Sequence, residues 1–206
     1  MQLKKINSNL QQALIENDFL EANEMQQETF STIKSGVDAV IQSPKGSGKS
    51  TAIVLNVIQR MEKAAGESTR ALVFVNDKDA VLEMVELFKK FSNYTDLRII
   101  GVHDKGDIDF DKNQISVGND IIVGTTSKIN AMFASAGFNI NTIKMFVVDD
   151  ADELFRTRLD AVIMRLSASV EKTQRIFFTT EITERVEILA DKIMIEPLFF
   201  EMEDES

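Results

Sequence analysis

The sequence predicts an α/β fold, a three-layer, mostly parallel sheet with helices on both faces. Short apolar runs of strand length alternate with stretches of helical period through nearly the whole chain. One run, Ala71-Leu72-Val73-Phe74-Val75, is apolar at every position, as a strand covered on both faces requires. A glycine-bearing segment at residues 43–50 stands between an apolar lead-in, Ala39-Val40-Ile41, and a helix-period lead-out of Ile53, Val54, Val57, Ile58 and Met61.

Taken in order, residues 7–17 read as a short helix with Asn7 or Ser8 as its cap, Leu10, Ala13 and Leu14 on one face, and Phe19 and Leu20 closing it. A second helix starts at Asn23 or Glu24, runs to about Ser35 and stops at Gly36. Gly66 and Ser68 mark the turn before 71–75, and Asp77 caps a helix with an apolar stripe of Val81, Met84, Val85, Phe88 and Phe91. A strand at 97–101, a polar loop over 103–113, a strand at 120–124 and a helix opening near Ser127 follow. The run 144–148 is the next strand, and Asp149-Asp150-Ala151-Asp152 leads into one helix carrying Leu159, Val162, Ile163 and Leu166. The chain then gives a strand at 175–179, a helix over about 183–192, and a last strand within 193–202 interrupted by Pro197. Residues 201–206 are acidic and expected to fray.

With 206 residues, 44% of them apolar and 27% charged, the chain fits one well-buried domain rather than a disordered or fibrous class. The absence of Cys excludes disulfides and thiolate metal sites. The single His103 excludes a histidine-rich zinc site and leaves acid-base chemistry to carboxylates or lysines; His103 itself reads as a loop residue. The longest apolar runs are of strand length and residues 1–5 are polar, so neither a membrane span nor a signal peptide is expected, and a cytoplasmic protein without a membrane partner follows. A formal charge of −10 argues against holding nucleic acid by broad electrostatic attraction, so any RNA contact must be local.

The glycine segment reads Ser43-Pro44-Lys45-Gly46-Ser47-Gly48-Lys49-Ser50. Glycines at 46 and 48 allow backbone conformations closed to residues with a Cβ, so successive N–H groups can converge on phosphate at the positive end of the following helix. Lys49 would neutralise the outer phosphates, and Ser50 offers the hydroxyl that a magnesium ion takes as a ligand. Asp149 follows a strand and so sits on the sheet edge that carries the glycine loop, where it can hold the metal, while Asp150 can orient and deprotonate a water. Alone, each motif also reads as a plain turn. Their joint presence in the right order points to phosphate chemistry.

On these residues the chain resembles the first, nucleotide-binding RecA-like domain of DEAD-box RNA helicases, over roughly residues 19–200. Residues 43–50 stand where that family has Ala-x-Thr-Gly-x-Gly-Lys-Thr, which accounts for a first position that is not glycine, and 149–152 fall on its Asp-Glu-Ala-Asp. The resemblance implies an ATP-binding set of Phe19, Gln26, Ser43, Lys45, Gly46, Ser47, Gly48, Lys49, Ser50 and Thr51, with Phe19 packing on adenine and Gln26 pairing with its edge. It implies ATP and Mg2+ as ligands, Lys49, Asp149 and Asp150 as catalytic residues, and Ser50 and Asp149 on the metal. RNA contacts fall to Lys78, Thr125 and Lys128, and coupling of ATP state to RNA falls to Asp152, Thr179 and Glu181.

Departures from the family pattern are equally specific. Asn76-Asp77-Lys78-Asp79-Ala80 replaces Pro-Thr-Arg-Glu-Leu, and Thr125-Thr126-Ser127-Lys128 replaces Thr-Pro-Gly-Arg, so point charges stand where a forked guanidinium is usual. His103-Asp104 replaces a glycine pair in a third RNA-facing loop, which puts a carboxylate near phosphate. Weak RNA affinity is the expectation. Asp150 is one methylene shorter than the family's catalytic Glu, and Thr179-Thr180-Glu181 replaces Ser-Ala-Thr, setting Glu181 towards Asp152 as a second carboxylate.

Two readings follow. In the first, residues 1–200 are helicase domain 1 and 201–206 an acidic tail or the start of an interdomain linker. This monomeric domain binds Mg-ATP and part of an RNA backbone, and is nearly inactive until a second RecA-like domain joins it in cis or trans. In the second, the chain is a degenerate nucleotide-binding module that acts as a regulatory or interaction protein.

Overall fold

Each apolar run becomes a strand, and each strand is joined to the next by at least one helix that covers a face of the sheet. The computed structural model describes residues 3–19 and 21–202; Leu20 and residues 203–206 of the acidic tail lie outside the described residues. In chain order the elements are α1 (Ser8–Glu16), α2 (Glu24–Ser35), β1 (Ala39–Gln42), α3 (Lys49–Met61), β2 (Ala71–Val75), α4 (Lys78–Phe91), β3 (Ile99–Val102), α5 (Ile108–Ser116), β4 (Ile121–Thr125), α6 (Thr126–Ala134), β5 (Met145–Val148), α7 (Ala151–Arg156), α8 (Asp160–Ala168), β6 (Gln174–Thr179), α9 (Glu184–Ile193) and β7 (Leu198–Glu201). The seven strands form one sheet in the order β3-β4-β2-β5-β6-β1-β7, with every pairing parallel.

Local chemistry sets the boundaries. Asn7 caps α1 by accepting from the N–H groups of Asn9 and Leu10, and Asp77 caps α4 by accepting from Ala80. Gly36 ends α2 in the left-handed conformation, φ 91°. The strand interiors alternate: Ala71, Val73 and Val75 of β2 with Met145 and Val147 of β5 face one core, while Leu72, Phe74, Phe146 and Val148 face the other. Phe74 and Phe146 meet across the β2–β5 pair with centroids 4.6 Å apart and ring planes tilted by 40°. Helices α1 to α4 supply the first core and α6 to α9 most of the second.

Three local expectations are corrected. The stretch expected as a polar loop over 103–113 holds the helix α5, started by Asp107 accepting from Phe110 N–H and carrying Asp109 and Asp111 in its first turn. Only Asp111 and Ile115 of that helix are buried, so its apolar period is too faint to read. The single helix expected after Asp152 is two, α7 and α8, separated where Arg158 takes a positive φ of 63°. The strand expected at 97–101 starts at Ile99 because the backbone N–H of Arg98 is claimed by the Asp120 carboxylate at 3.0 Å. Among the described residues no helix is long and apolar enough to cross a membrane.

Asp120 clamps the amino ends of three strands. Its fully buried carboxylate accepts from Arg70, just ahead of β2, at 2.7 Å and from Arg98, just ahead of β3, at 2.9 Å, while Asp120 itself precedes β4. Burial alone would raise its pKa, but the hydrogen bonds from Arg98 and Arg70 outweigh it and hold the carboxyl below its ordinary value. This contribution to stability is therefore present above the unfolded carboxylate pKa and lost as pH falls through the lower folded one. Asp120→Ala, which strands two guanidinium groups, is expected to cost about 3–5 kcal/mol in chemical denaturation. A loss under about 1 kcal/mol would mean that solvent replaces the clamp.

Candidate functional site

The strand order builds the site. The chain leaves β1 through α3 for β2, and β5 and β6 later fill the gap between them. The carboxyl ends of β1, β6 and β5 thus lie side by side, carrying respectively the glycine loop, Thr179-Thr180-Glu181 and Asp149-Asp150. Asn76 to Lys78 follow β2, and Thr125 ends β4 on the same edge.

The loop enters α3 through Gly48, which is left-handed at φ 88° and offers the helix no side-chain cap. A Cβ there would lie 2.8 Å from Gln26 Nε2, so both the backbone angle and the space demand glycine. The first N–H groups of α3 are left for a ligand or water. Lys49, at 7% exposure, lies beneath the loop and donates from Nζ to the carbonyls of Ser43 and Pro44, at 2.9 Å each. Two of three ammonium donors are used, and one remains to face an anion. The Ser43 and Ser47 hydroxyls bond at 2.6 Å, while Ser50 is exposed, Thr51 half-buried and Lys45 exposed at the bend.

Helix α2 braces this loop. Asn23 Nδ2 donates to Ser47 O at 2.6 Å and Gln26 Nε2 to Gly48 O at 3.3 Å, while the two side chains cap α2 reciprocally. Gln26 is thus buried and tied to the loop through one amide hydrogen, with a second donor and a second lone pair unassigned. Asn23 escaped the sequence reading as a loop contact, although Asn-x-x-Gln ahead of an apolar run is a capping-box signature. Phe19 is half-buried and meets Phe91 edge to face, centroids 6.0 Å apart.

Across β6 stand the acids. Asp149 is 8% exposed and accepts from Asp150 N–H at 3.0 Å. Burial, and then the charge of Asp150, push its pKa up to about 7, with Lys49 close enough to offset part of the rise. Asp150 occupies the left-handed region at φ 45°, accepts from Asn76 Nδ2 at 3.2 Å, and is raised above the usual carboxylate range, chiefly by burial, with Lys49 opposing. A buried carboxylate under this pressure, with no ion-pair partner among the described residues, and an exposed hydroxyl at Ser50 in the first turn of α3 are hard oxygen donors of the kind that suits magnesium.

The outer positions divide. Lys78 is half-buried at the first turn of α4. Thr125 is buried with its hydroxyl unpartnered. Lys128 is turned inward: 5% exposed, it pairs with Asp111 of α5 at 2.9 Å and donates to Gly106 O at 2.7 Å. Asp152 accepts from Thr180 N–H and gives its own N–H to Thr179 Oγ1, both at 3.3 Å, and that hydroxyl donates to Glu181 O at 2.7 Å. The Glu181 side chain is exposed and lines a cavity with Asp152, Arg156 and Arg185.

A sequence profile of the DEAD/DEAH box helicase family matches residues 23–188. The chain is 26% identical over 208 residues to the ATP-dependent RNA helicase uap56 of Schizosaccharomyces pombe, covering 96% of this chain and 46% of that protein. It is 22% identical to the DEAD-box ATP-dependent RNA helicase CshC of Bacillus cereus, over 95% of this chain and 50% of that protein. The chain thus spans about half the length of these curated relatives. A crystal structure of a DEAD box protein from the hyperthermophile Methanococcus jannaschii shares the fold, with a TM-score of 0.90 at 17% identity over 97% of this chain and 55% of that one. The profile match takes in the glycine loop, Asp149-Asp150 and Thr179-Thr180-Glu181, and the chain belongs to the DEAD/DEAH box helicase family.

Proposed function

We propose that this chain is the ATP-binding domain of a DEAD-box type RNA helicase, with residues 1–200 as the first RecA-like domain and 201–206 as a tail or linker. The observation that carries this reading is the uncapped start of α3 with Lys49 beneath it, set one strand away from the buried Asp149. The α3 N–H groups and Lys49 take the triphosphate. Ser50 and Asp149 hold Mg2+, which when bound neutralises charge on the outer phosphates. Asp150, its pKa raised by burial, is the better proton acceptor for it and stands beside the metal carboxylate.

Phosphoryl transfer also needs cations opposite the loop, and the wall facing it here is acidic, so a second RecA-like domain supplies them for hydrolysis and unwinding. The RNA share of this domain is small, because Lys128 is committed to Asp111 and Lys78 is a point charge. That same commitment favours the second reading, a nucleotide-binding module with a regulatory role.

Calorimetry with ATP, GTP and inorganic triphosphate tests the proposal. ATP is expected to bind more tightly than GTP, and Gln26→Ala to weaken ATP about tenfold, roughly 1.4 kcal/mol, while leaving triphosphate unchanged. Equal losses on ATP and triphosphate would remove the adenine role and leave Gln26 as a strut of the loop.

A further inference from the structure

We propose that Lys45 reads the third phosphate, making the site prefer ATP to ADP, an inference that rests on the nucleotide reading above. The loop carries two lysines in opposite settings. Lys49 is buried and hydrogen-bonded to the loop's own carbonyls. Lys45 is exposed at the bend and makes no ion pair among the described residues. Beside it, Gly46 is left-handed at φ 78°, and a Cβ there would meet nothing within 4 Å, so the outer side of the bend is open.

Lys45 faces a cavity of about 510 Å3 whose wall carries the carboxylates of Asp77, Asp150, Asp152 and Glu153. Among the residues lining that space it is the one cation. A triphosphate seated on the α3 amino end directs its last phosphate towards Asp150, the acid placed to handle the attacking water. On its rim side that phosphate faces a wall of like charge, which Lys45 alone among the lining residues offsets. ADP ends one phosphate short and does not reach it. Lys49, on the loop floor, serves the outer phosphates together; Lys45, on the rim, adds a charge that only the third phosphate reaches. Threonine, the family's residue at this position, brings no charge, so the preference belongs to this chain's own lysine.

The test is titration of the intact chain with MgATP and MgADP for wild type, Lys45→Thr, Lys45→Gln and Lys45→Arg. Both neutral variants are expected to weaken ATP at least tenfold and change ADP less than twofold, while Lys45→Arg stays within about threefold of wild type for both. Because the side chain is exposed, thermal melts of all four proteins should coincide. An ATP-to-ADP ratio unchanged in the neutral variants, or equal losses on both nucleotides, overturns the role of Lys45 and leaves the nucleotide site standing. Wild-type protein that binds neither nucleotide overturns the nucleotide reading itself.

Discussion

Asp149→Asn is expected to stabilise the free protein by up to about 4 kcal/mol above pH 8, a rise in melting temperature on the order of 10 °C, while removing the magnesium dependence of ATP binding. The cause is a carboxylate buried beside a second acid, with its pKa pushed to about 7. An unfolded Asp releases its proton near pH 3.9, so between that pH and about 7 the unfolded chain binds fewer protons than the folded one. Stability from this group accordingly falls as pH rises through that window and is lowest above it. Asparagine keeps an oxygen to accept the Asp150 N–H and carries no charge to bury. The gain should therefore be large at pH 8 and small near pH 4. A variant that melts no higher than wild type at pH 8 would show that the carboxylate is solvated or already neutralised.

Lys49→Ala should lower ATP affinity by at least 100-fold and cost about 1–3 kcal/mol in stability. The ammonium donates to the buried Ser43 carbonyl and to the half-buried Pro44 carbonyl, and its charge offsets part of the pressure on Asp149 and Asp150, so its removal unpartners an acceptor and leaves the acids less compensated. In the proposed site, by contrast, it is the cation on the loop floor beneath the phosphates. Titration calorimetry paired with a thermal melt separates the two effects. A fall in affinity below tenfold would place the triphosphate elsewhere.

The placement of these two residues was legible in the sequence because it is set locally: a glycine loop between a strand and a helix, and an acid at a strand's carboxyl end. The strands were legible for a related reason, since burial on both faces leaves a run such as 71–75 no polar position. What escaped depends on partners distant in sequence. Lys128 reads as a surface charge until α5 is known to bring Asp111 against it, and α5 is faint because it buries little of its own surface. Asp120 looks like a strand-edge residue, and only the sheet order brings Arg70 and Arg98 to it. Arg158 breaks the helix after Asp152 with a left-handed backbone that no glycine announces. Glu181 and Asp152 do line one cavity, as the sequence implied, but Arg156 and Arg185 share it, and the backbone bonds from Thr179 to Glu181 O and from Thr180 N–H to Asp152 could not be read from the chain.

The central claim is that one loop, one lysine and one buried acid form a single magnesium-triphosphate site. Calorimetric titration of the intact chain with ATP, in magnesium and then in excess EDTA, tests it most directly. Saturable one-to-one binding that weakens at least tenfold without magnesium in wild type, and shows no such dependence in Asp149→Asn, is the predicted result. No binding under either condition, or the same magnesium dependence in both proteins, would contradict it.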